Sequence, residues 1–453
     1  MQSEKLLLCI ISAFSVCISV SCSTQKNVAS PVIKRLNDSL LKYAHTGIYV
    51  YEPAAGKVVI DYQSDKYFTP ASNTKIITCY AAMKYLGDSL IGATWIDLDT
   101  AIVIYPQGDP SFLHPDFSGQ AIVDFIKEQQ KPVYISDIFW KTTALGSGWS
   151  WDDYSEDYMP ERSAFPVYGN VIRWHQAVSK KENPLSVADS IDRFIYSDPE
   201  INWPVEFGRP EPKGKFQVER DWRTNAFTIN EGGNTETYKD VPFITHGIHT
   251  ALELLQDSVH KPVHVFTKEI ITIGENLFPV PILSVKRDSL LKPMMHRSDN
   301  FFAEQLLLMI SLYRIGNMNE SVAISSMLKN DLKDFPQKPT WADGSGLSRF
   351  NLFSPQDFVW ILSKMKNEFG MERIRGLFPT AGEGTLRYYD RALKNKLFAK
   401  TGSLTGVLSL SGYLQTASGK ELVFSVLINN HRQTAASIRT TINEMLLNLY
   451  NSY

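Results

Sequence analysis

TPASNTKIITCYAAMKYLG, Thr69–Gly87, is apolar nearly all round: Ile76, Ile77, Cys79, Ala81, Ala82, Met83 and Leu86 leave no wide polar stripe. That pattern predicts a buried helix, with Ser72 at its N-terminal end and Gly87 as its C-cap. Lys75, three residues after Ser72, then shares its face of the helix. The pair is either a nucleophile with its base or an ordinary helix start. Spacing alone does not choose, because the chain holds seven Ser-x-x-Lys matches, at Ser23, Ser39, Ser72, Ser258, Ser289, Ser326 and Ser363.

On the N-terminal side, TGIYVYEPAAGKVVIDY (Thr46–Tyr62) alternates and turns, which predicts strands over Gly47–Tyr51 and Lys57–Tyr62 around a Pro53–Gly56 turn. Far downstream, LFAKTG, GVLSLSGYLQ and ELVFSVLINN read as three strands of an antiparallel meander, and TAASIRTTINEMLLNLY as a closing helix. RSDN leads into FFAEQLLLMISLYRIG, a second long apolar helix. Between these ends, from about Ala93 to Pro279, short β-like runs alternate with Pro and Gly turns, interrupted by one helical segment, HGIHTALELLQDS.

The expected fold is therefore α+β: an antiparallel sheet flanked by helices, built from both ends of the chain and interrupted by a large strand-rich insert. The expected divisions are a leader at 1–22, a first part of the main body at 23–92, the insert at 93–280 and a second part at 281–453.

With 453 residues the chain exceeds one compact core, and 43% hydrophobic and 21% charged residues place it among ordinary globular proteins. A net charge of −2 argues against a nucleic-acid partner, which calls for a basic patch. The leader MQSEKLLLCIISAFSVCISVSC has one lysine and an apolar run from Leu6 to Val20, shorter than the ~20 residues of a spanning helix. It reads as a secretory signal, the alternative being an uncleaved anchor. Cys22, after Ser21, resembles the lipidated cysteine of a bacterial lipoprotein, which would tether an exported protein to a membrane in the periplasm. Cys9, Cys17 and Cys22 all lie in the leader, so Cys79 stands alone in the body and is expected to be a buried core thiol.

Two further motifs give Ser72–Lys75 its meaning. Ser298-Asp299-Asn300 falls in the turn before the second apolar helix, and Lys400-Thr401-Gly402 on the first strand of the meander. A given tripeptide occurs by chance in about one chain in ten of this length, so two in order and in context are a strong signal. The set S-x-x-K, S-D-N and K-T-G is that of penicillin-binding proteins and class A β-lactamases. The stretches FTPASNTKIIT, GDPSF (108–112), WSWDDY (149–154), WADGSGLSRFN (341–351), PTAGEGTLR (379–387) and FAKTGSLTGV (398–407) extend the likeness. The chain resembles the D-Ala-D-Ala carboxypeptidase/endopeptidase family of class C penicillin-binding proteins, over most of its mature length. Ser403 departs from the threonine common after K-T-G, although it keeps the hydroxyl.

The resemblance implies cleavage of D-Ala-D-Ala termini or cross-links of peptidoglycan stem peptides through a serine acyl-enzyme, with β-lactams as trapping ligands and no cofactor. A serine hydroxyl is a poor nucleophile until a base takes its proton, and Lys75 can do so only when neutral. Burial and a second cation, Lys400, are the expected causes of a lowered Lys75 pKa. The N–H groups of Ser72 and Ser403 would hold an oxyanion, Ser298 would relay a proton to the leaving amine, and Asn300 would hold a substrate amide. Lys400, Thr401, Gly402 and Ser403 would form the edge that takes the terminal carboxylate. Asp343 in WADGSGLS and Arg387 are assigned to structural loops.

Alternatives are a β-lactamase, which the long insert disfavours, and a catalytically silent peptidoglycan-binding lipoprotein. His246, His249, His260 and His264 have metal-like spacing but no H-E-x-x-H companion, so no metal is expected. There is no G-x-S-x-G elbow for a Ser-His-Asp hydrolase.

Overall fold

The two ends of the chain meet in one sheet. In the computed structural model, which describes residues 41–181, 190–208, 214–267 and 278–453, the strand order is Leu397–Leu404, Val407–Gln415, Glu421–Asn429, His45–Glu52, Lys57–Tyr62. Every pairing in it is antiparallel. The leader and Cys22 lie outside the described residues. Among the described residues no helix is long and apolar enough to cross a membrane.

The period-two pattern of these strands sends alternate side chains to opposite faces. Leu408, Leu410, Phe424, Val426, Ile48 and Val50 pack on one face with Ile438, Ile442 and Leu446 of the C-terminal helix Ala435–Ser452. On the other face Tyr413, Val423 and Leu427 join a core made by the helices Lys75–Tyr85, Asn300–Ile315 and Pro355–Phe369. Each fully buried aliphatic side chain contributes about 2 kcal/mol. That second face is not wholly apolar: Ser409, Ser411 and Ser425 are buried in it.

The first apolar helix departs from expectation at both ends. Ser72 belongs to a 3-10 turn, Ala71–Thr74, and the α-helix proper begins at Lys75. At the other end Leu86, extended at φ −89° and ψ 143°, is the capping residue, not Gly87. The chain runs straight on into strand Ser89–Leu98, so no left-handed glycine is needed. The second helix, Asn300–Ile315, is capped by Asp299, whose carboxylate accepts from the Phe302 N–H at 2.9 Å, and it closes at Gly316 with φ +81°.

The segment between these helices builds a five-stranded sheet in the order Val263–Val265, Val133–Ile135, Ala101–Pro106, Ser89–Leu98, Val280–Lys286. Two of its pairings are parallel. Helix His249–Val259 packs on it as the sequence suggests, and so does a helix that the strand reading missed, Ala121–Glu128, through Ile122, Val123 and Ile126. Among the described residues, two three-stranded sheets accompany it. The cuts at 92/93 and 280/281 fall on two strands that pair with each other, from Val280↔Trp95 to Lys286↔Ser89. Those strands, Ser89–Leu98 and Val280–Lys286, begin before the first cut and end after the second.

Candidate active site

Ser72 lies where the 3-10 turn presses against strand Leu397–Leu404, the edge strand of the central sheet. The approach is so close that a Cβ on Gly402 would stand 2.7 Å from the Pro70 carbonyl oxygen and 3.0 Å from the Ser72 nitrogen. Only glycine fits there, which accounts for the third residue of Lys-Thr-Gly. The turn is anchored from below by small polar groups. Asn73 donates to Ser411 Oγ at 2.7 Å, Ser411 to Ser425 Oγ at 2.8 Å, and Ser409 to the Pro70 carbonyl at 2.7 Å.

Lys75 is fully buried, and its ammonium has three oxygen neighbours: Ser72 Oγ at 2.9 Å, Asn300 Oδ1 at 2.6 Å and the Ser345 carbonyl at 2.7 Å. The Asn300 amide is oriented by its Nδ2, which donates to the Tyr158 carbonyl at 2.8 Å, so its oxygen faces Lys75. Two of the three neighbours can only accept. A neutral amine has two N–H groups, and both go to those acceptors. Its lone pair then faces the Ser72 hydroxyl. Burial lowers the Lys75 pKa to about 8, against the opposing pull of the Asp343, Glu304 and Asp299 carboxylates. At pH 7 about one molecule in ten then has the neutral amine.

Lys400, also fully buried, donates to Ser298 Oγ at 2.8 Å and to the Thr401 carbonyl at 2.8 Å. Ser298 holds φ at +65°, a left-handed conformation costing about 1 kcal/mol for a non-glycine residue. That strain puts its hydroxyl between the Lys400 ammonium and the cavity. Burial first, and the Lys75 charge second, push the Lys400 pKa well down. Of the two expected causes, burial acts on Lys75, and the repulsion between the two cations shows on Lys400. Two ammonium groups in one buried site resist being charged together.

A cavity of about 570 Å³ opens over these groups, lined among others by Ser72, Ser298, Asn300 and Ser403, with Tyr158 and Arg349 on its walls. The structure thus brings Ser72, Lys75, Ser298, Asn300, Lys400, Gly402 and Ser403 together, and Thr401 adjoins them through its carbonyl. Arg387 is exposed and stacks on Tyr388 instead. Among the described residues no group of three or more His, Cys, Asp or Glu is arranged to hold a metal. Cys79 is buried, and burial pushes its thiol pKa up.

The loop Trp341–Asn351 is part of the site, and the sequence reading left it out. Asp343 accepts from the N–H groups of Gly346 (2.8 Å) and Ser348 (2.6 Å) and from Asn351 Nδ2 (2.7 Å). That bundle aims the Ser345 carbonyl at Lys75. Gly346, at φ +82°, packs on the Ala71–Thr74 turn so tightly that a Cβ would collide with the Ala71 carbonyl and lie 2.8 Å from Thr74 Oγ1. The available signal was the GSG run after Asp343, a sequence that makes close backbone approach possible.

Comparison with known proteins gives the family and the fold. The model of the D-Ala-D-Ala carboxypeptidase 3 (S13) family matches residues 28–449, and the chain belongs to that family. It is 22% identical to the D-alanyl-D-alanine carboxypeptidase DacB of Haemophilus influenzae, over 97% of this chain and 97% of that one. The crystal structure of penicillin binding protein 4 (dacB) from Haemophilus influenzae has the same fold, with a TM-score of 0.72 at 21% identity over 92% of this chain and 98% of the other. A structure of that protein complexed with a β-lactam aligns at a TM-score of 0.63 and 20% identity, over 94% of this chain and 98% of the other. The chain is thus a hydrolase of the D-Ala-D-Ala carboxypeptidase type.

Proposed function

We propose that Ser72 is the nucleophile and neutral Lys75 its base, in hydrolysis of the D-Ala-D-Ala bond of peptidoglycan stem peptides. The observation that carries this reading is the three-oxygen cradle of Lys75, which leaves its lone pair for Ser72. The Ser72 hydroxyl gives its proton to Lys75 Nζ as its oxygen bonds the carbonyl carbon of the penultimate residue. The carbonyl oxygen becomes an oxyanion held by the N–H groups of Ser72 and Ser403. Collapse breaks the C–N bond, and the proton held on Lys75 passes through Ser298 to the leaving amine, which makes Lys75 neutral again. Water then attacks the acyl carbon as it gives a proton to Lys75, and collapse breaks the ester bond as Lys75 returns that proton to Ser72 Oγ, releasing the acid.

Binding uses the edge strand. A peptide can pair with the edge of Leu397–Leu404 beyond its bridge to Thr380 as an added strand, with Asn300 holding an amide and Lys400, Thr401, Gly402 and Ser403 taking the terminal carboxylate. That carboxylate favours the charged form of Lys400, and repulsion then favours neutral Lys75. Substrate arrival thereby readies the base. A β-lactam carries a carboxylate and a strained amide in the same relation, so it acylates Ser72 and stays. The protein works in the periplasm, tethered through lipid on Cys22.

The test is a fluorescent penicillin with the protein and its Ser72→Ala variant, resolved on a denaturing gel. Label on the first and none on the second is expected. Equal labelling of both, or none on either, overturns the assignment. Tethering is tested by fractionation: Cys22→Ala is expected to move the protein from membrane to soluble fraction, and an unchanged distribution removes the anchor.

A further inference from the structure

We infer that Arg162 is a positioning residue for Lys75, acting from the segment between the two halves of the main body through Glu304 and the Ser345 peptide. This rests on Lys75 as the base.

The chain of contacts is continuous and buried. Arg162 is 1% exposed. Its guanidinium Nη1 lies 3.4 Å from Glu304 Oε2 and 3.1 Å from Glu320 Oε1, and Nη2 donates to the carbonyls of Thr143 at 2.9 Å and Leu145 at 3.3 Å. Glu304, also 1% exposed, uses its other oxygen to accept the Ser345 N–H at 2.7 Å. The carbonyl of that same residue accepts from Lys75 at 2.7 Å. Three contacts therefore connect a residue outside the main body to the base. A second residue of the same segment, Trp149, donates from Nε1 to Asp343 Oδ2 at 3.0 Å and lies under the Arg162 guanidinium. Together they hold both shoulders of the loop that presents the Ser345 carbonyl.

Electrostatics requires such a partner. A carboxylate as buried as Glu304 protonates unless a cation stands beside it. Burial and the Asp343 charge raise the Glu304 pKa, and Arg162 works against both. Ionised Glu304 in turn favours the charged form of Lys75. The charged groups acting on Lys75 are Glu304 and Asp299 from helix Asn300–Ile315 and its cap, Asp343 from the loop and Lys400 from the edge strand. Arg162 thus sets both where the Ser345 carbonyl stands and how tightly the base keeps its proton.

The experiment measures the rate of Ser72 acylation by a fluorescent penicillin against pH for the full chain and three variants. Glu304→Gln keeps an oxygen for the Ser345 N–H but loses the charge. Its acid limb is expected to move down by about one pH unit. Arg162→Met is expected to slow acylation by about tenfold at saturating penicillin with little change in the half-saturating concentration, and Arg162→Lys to recover part of the loss. Cooperative unfolding of each variant is recorded alongside. A Glu304→Gln limb that stays at the wild-type pH overturns the inference, even if that variant is less stable. So does Arg162→Met that unfolds earlier but acylates at the wild-type rate. If Arg162→Met does not fold, the Glu304→Gln limb decides alone. Failure of the base assignment would look different, since wild type itself would then lack label or lack an acid limb.

Discussion

The two faces of the central sheet are built from the same strands and do opposite work. Along Val407–Gln415, Leu408, Leu410 and Leu414 face the C-terminal helix in a dry apolar layer. Ser409 and Ser411, between them, face the turn that carries Ser72 and bond to it. The apolar face contributes cohesion that tolerates small shifts. The hydroxyl face contributes little net stability, since each hydrogen bond is worth about 1 kcal/mol, but it fixes Pro70, Asn73 and hence Ser72 to within a bond length. One strand therefore carries stability on one side and geometry on the other, and substitutions should separate the two.

The largest effect is expected above the hydroxyl face. Lys75→Met should slow acylation by about a thousandfold and abolish its pH dependence near 8, with cooperative unfolding retained; stopped-flow labelling measures this. On the opposite face, Leu410→Ala should cost about 2–5 kcal/mol in urea unfolding through the cavity it leaves, while acylation of the folded fraction changes less than about threefold. Comparable losses of both would dissolve the distinction. Ser411→Ala should reverse the pattern at smaller scale: about 1 kcal/mol of stability, with acylation slowed several-fold because Asn73 loses its partner. Smallest of all, native Cys79 should resist alkylation until the protein unfolds, because it is fully buried and its thiol is held protonated.

The sheet was legible because period-two alternation is local, and TGIYVY or ELVFSVLINN states it within ten residues. The helix at Lys75 was legible for the same reason, although its cap was not: beyond Leu86 the chain enters a strand whose pairing partners lie far along the sequence. The three motifs were legible as a set. Asp343 was seen but assigned to structure alone, since its role is to aim a neighbour's carbonyl, which composition does not show. Arg162 and Glu304 gave no signal. One lies in PERSAF and the other inside an apolar helix, and their pairing spans 142 residues that only the fold brings together. Helix Ala121–Glu128 was missed because a short apolar stretch fits strand and helix equally.

The central claim is that buried Lys75 is the base for Ser72, and its most direct test is the pH dependence of second-order acylation by a β-lactam. The Lys75 pKa is lowered, so the neutral form grows as pH rises through about 8. The rate should climb roughly tenfold per pH unit below that value and level off above it. A rate that is flat across this range, or still climbing steadily toward pH 10 as an exposed lysine would dictate, would contradict the account.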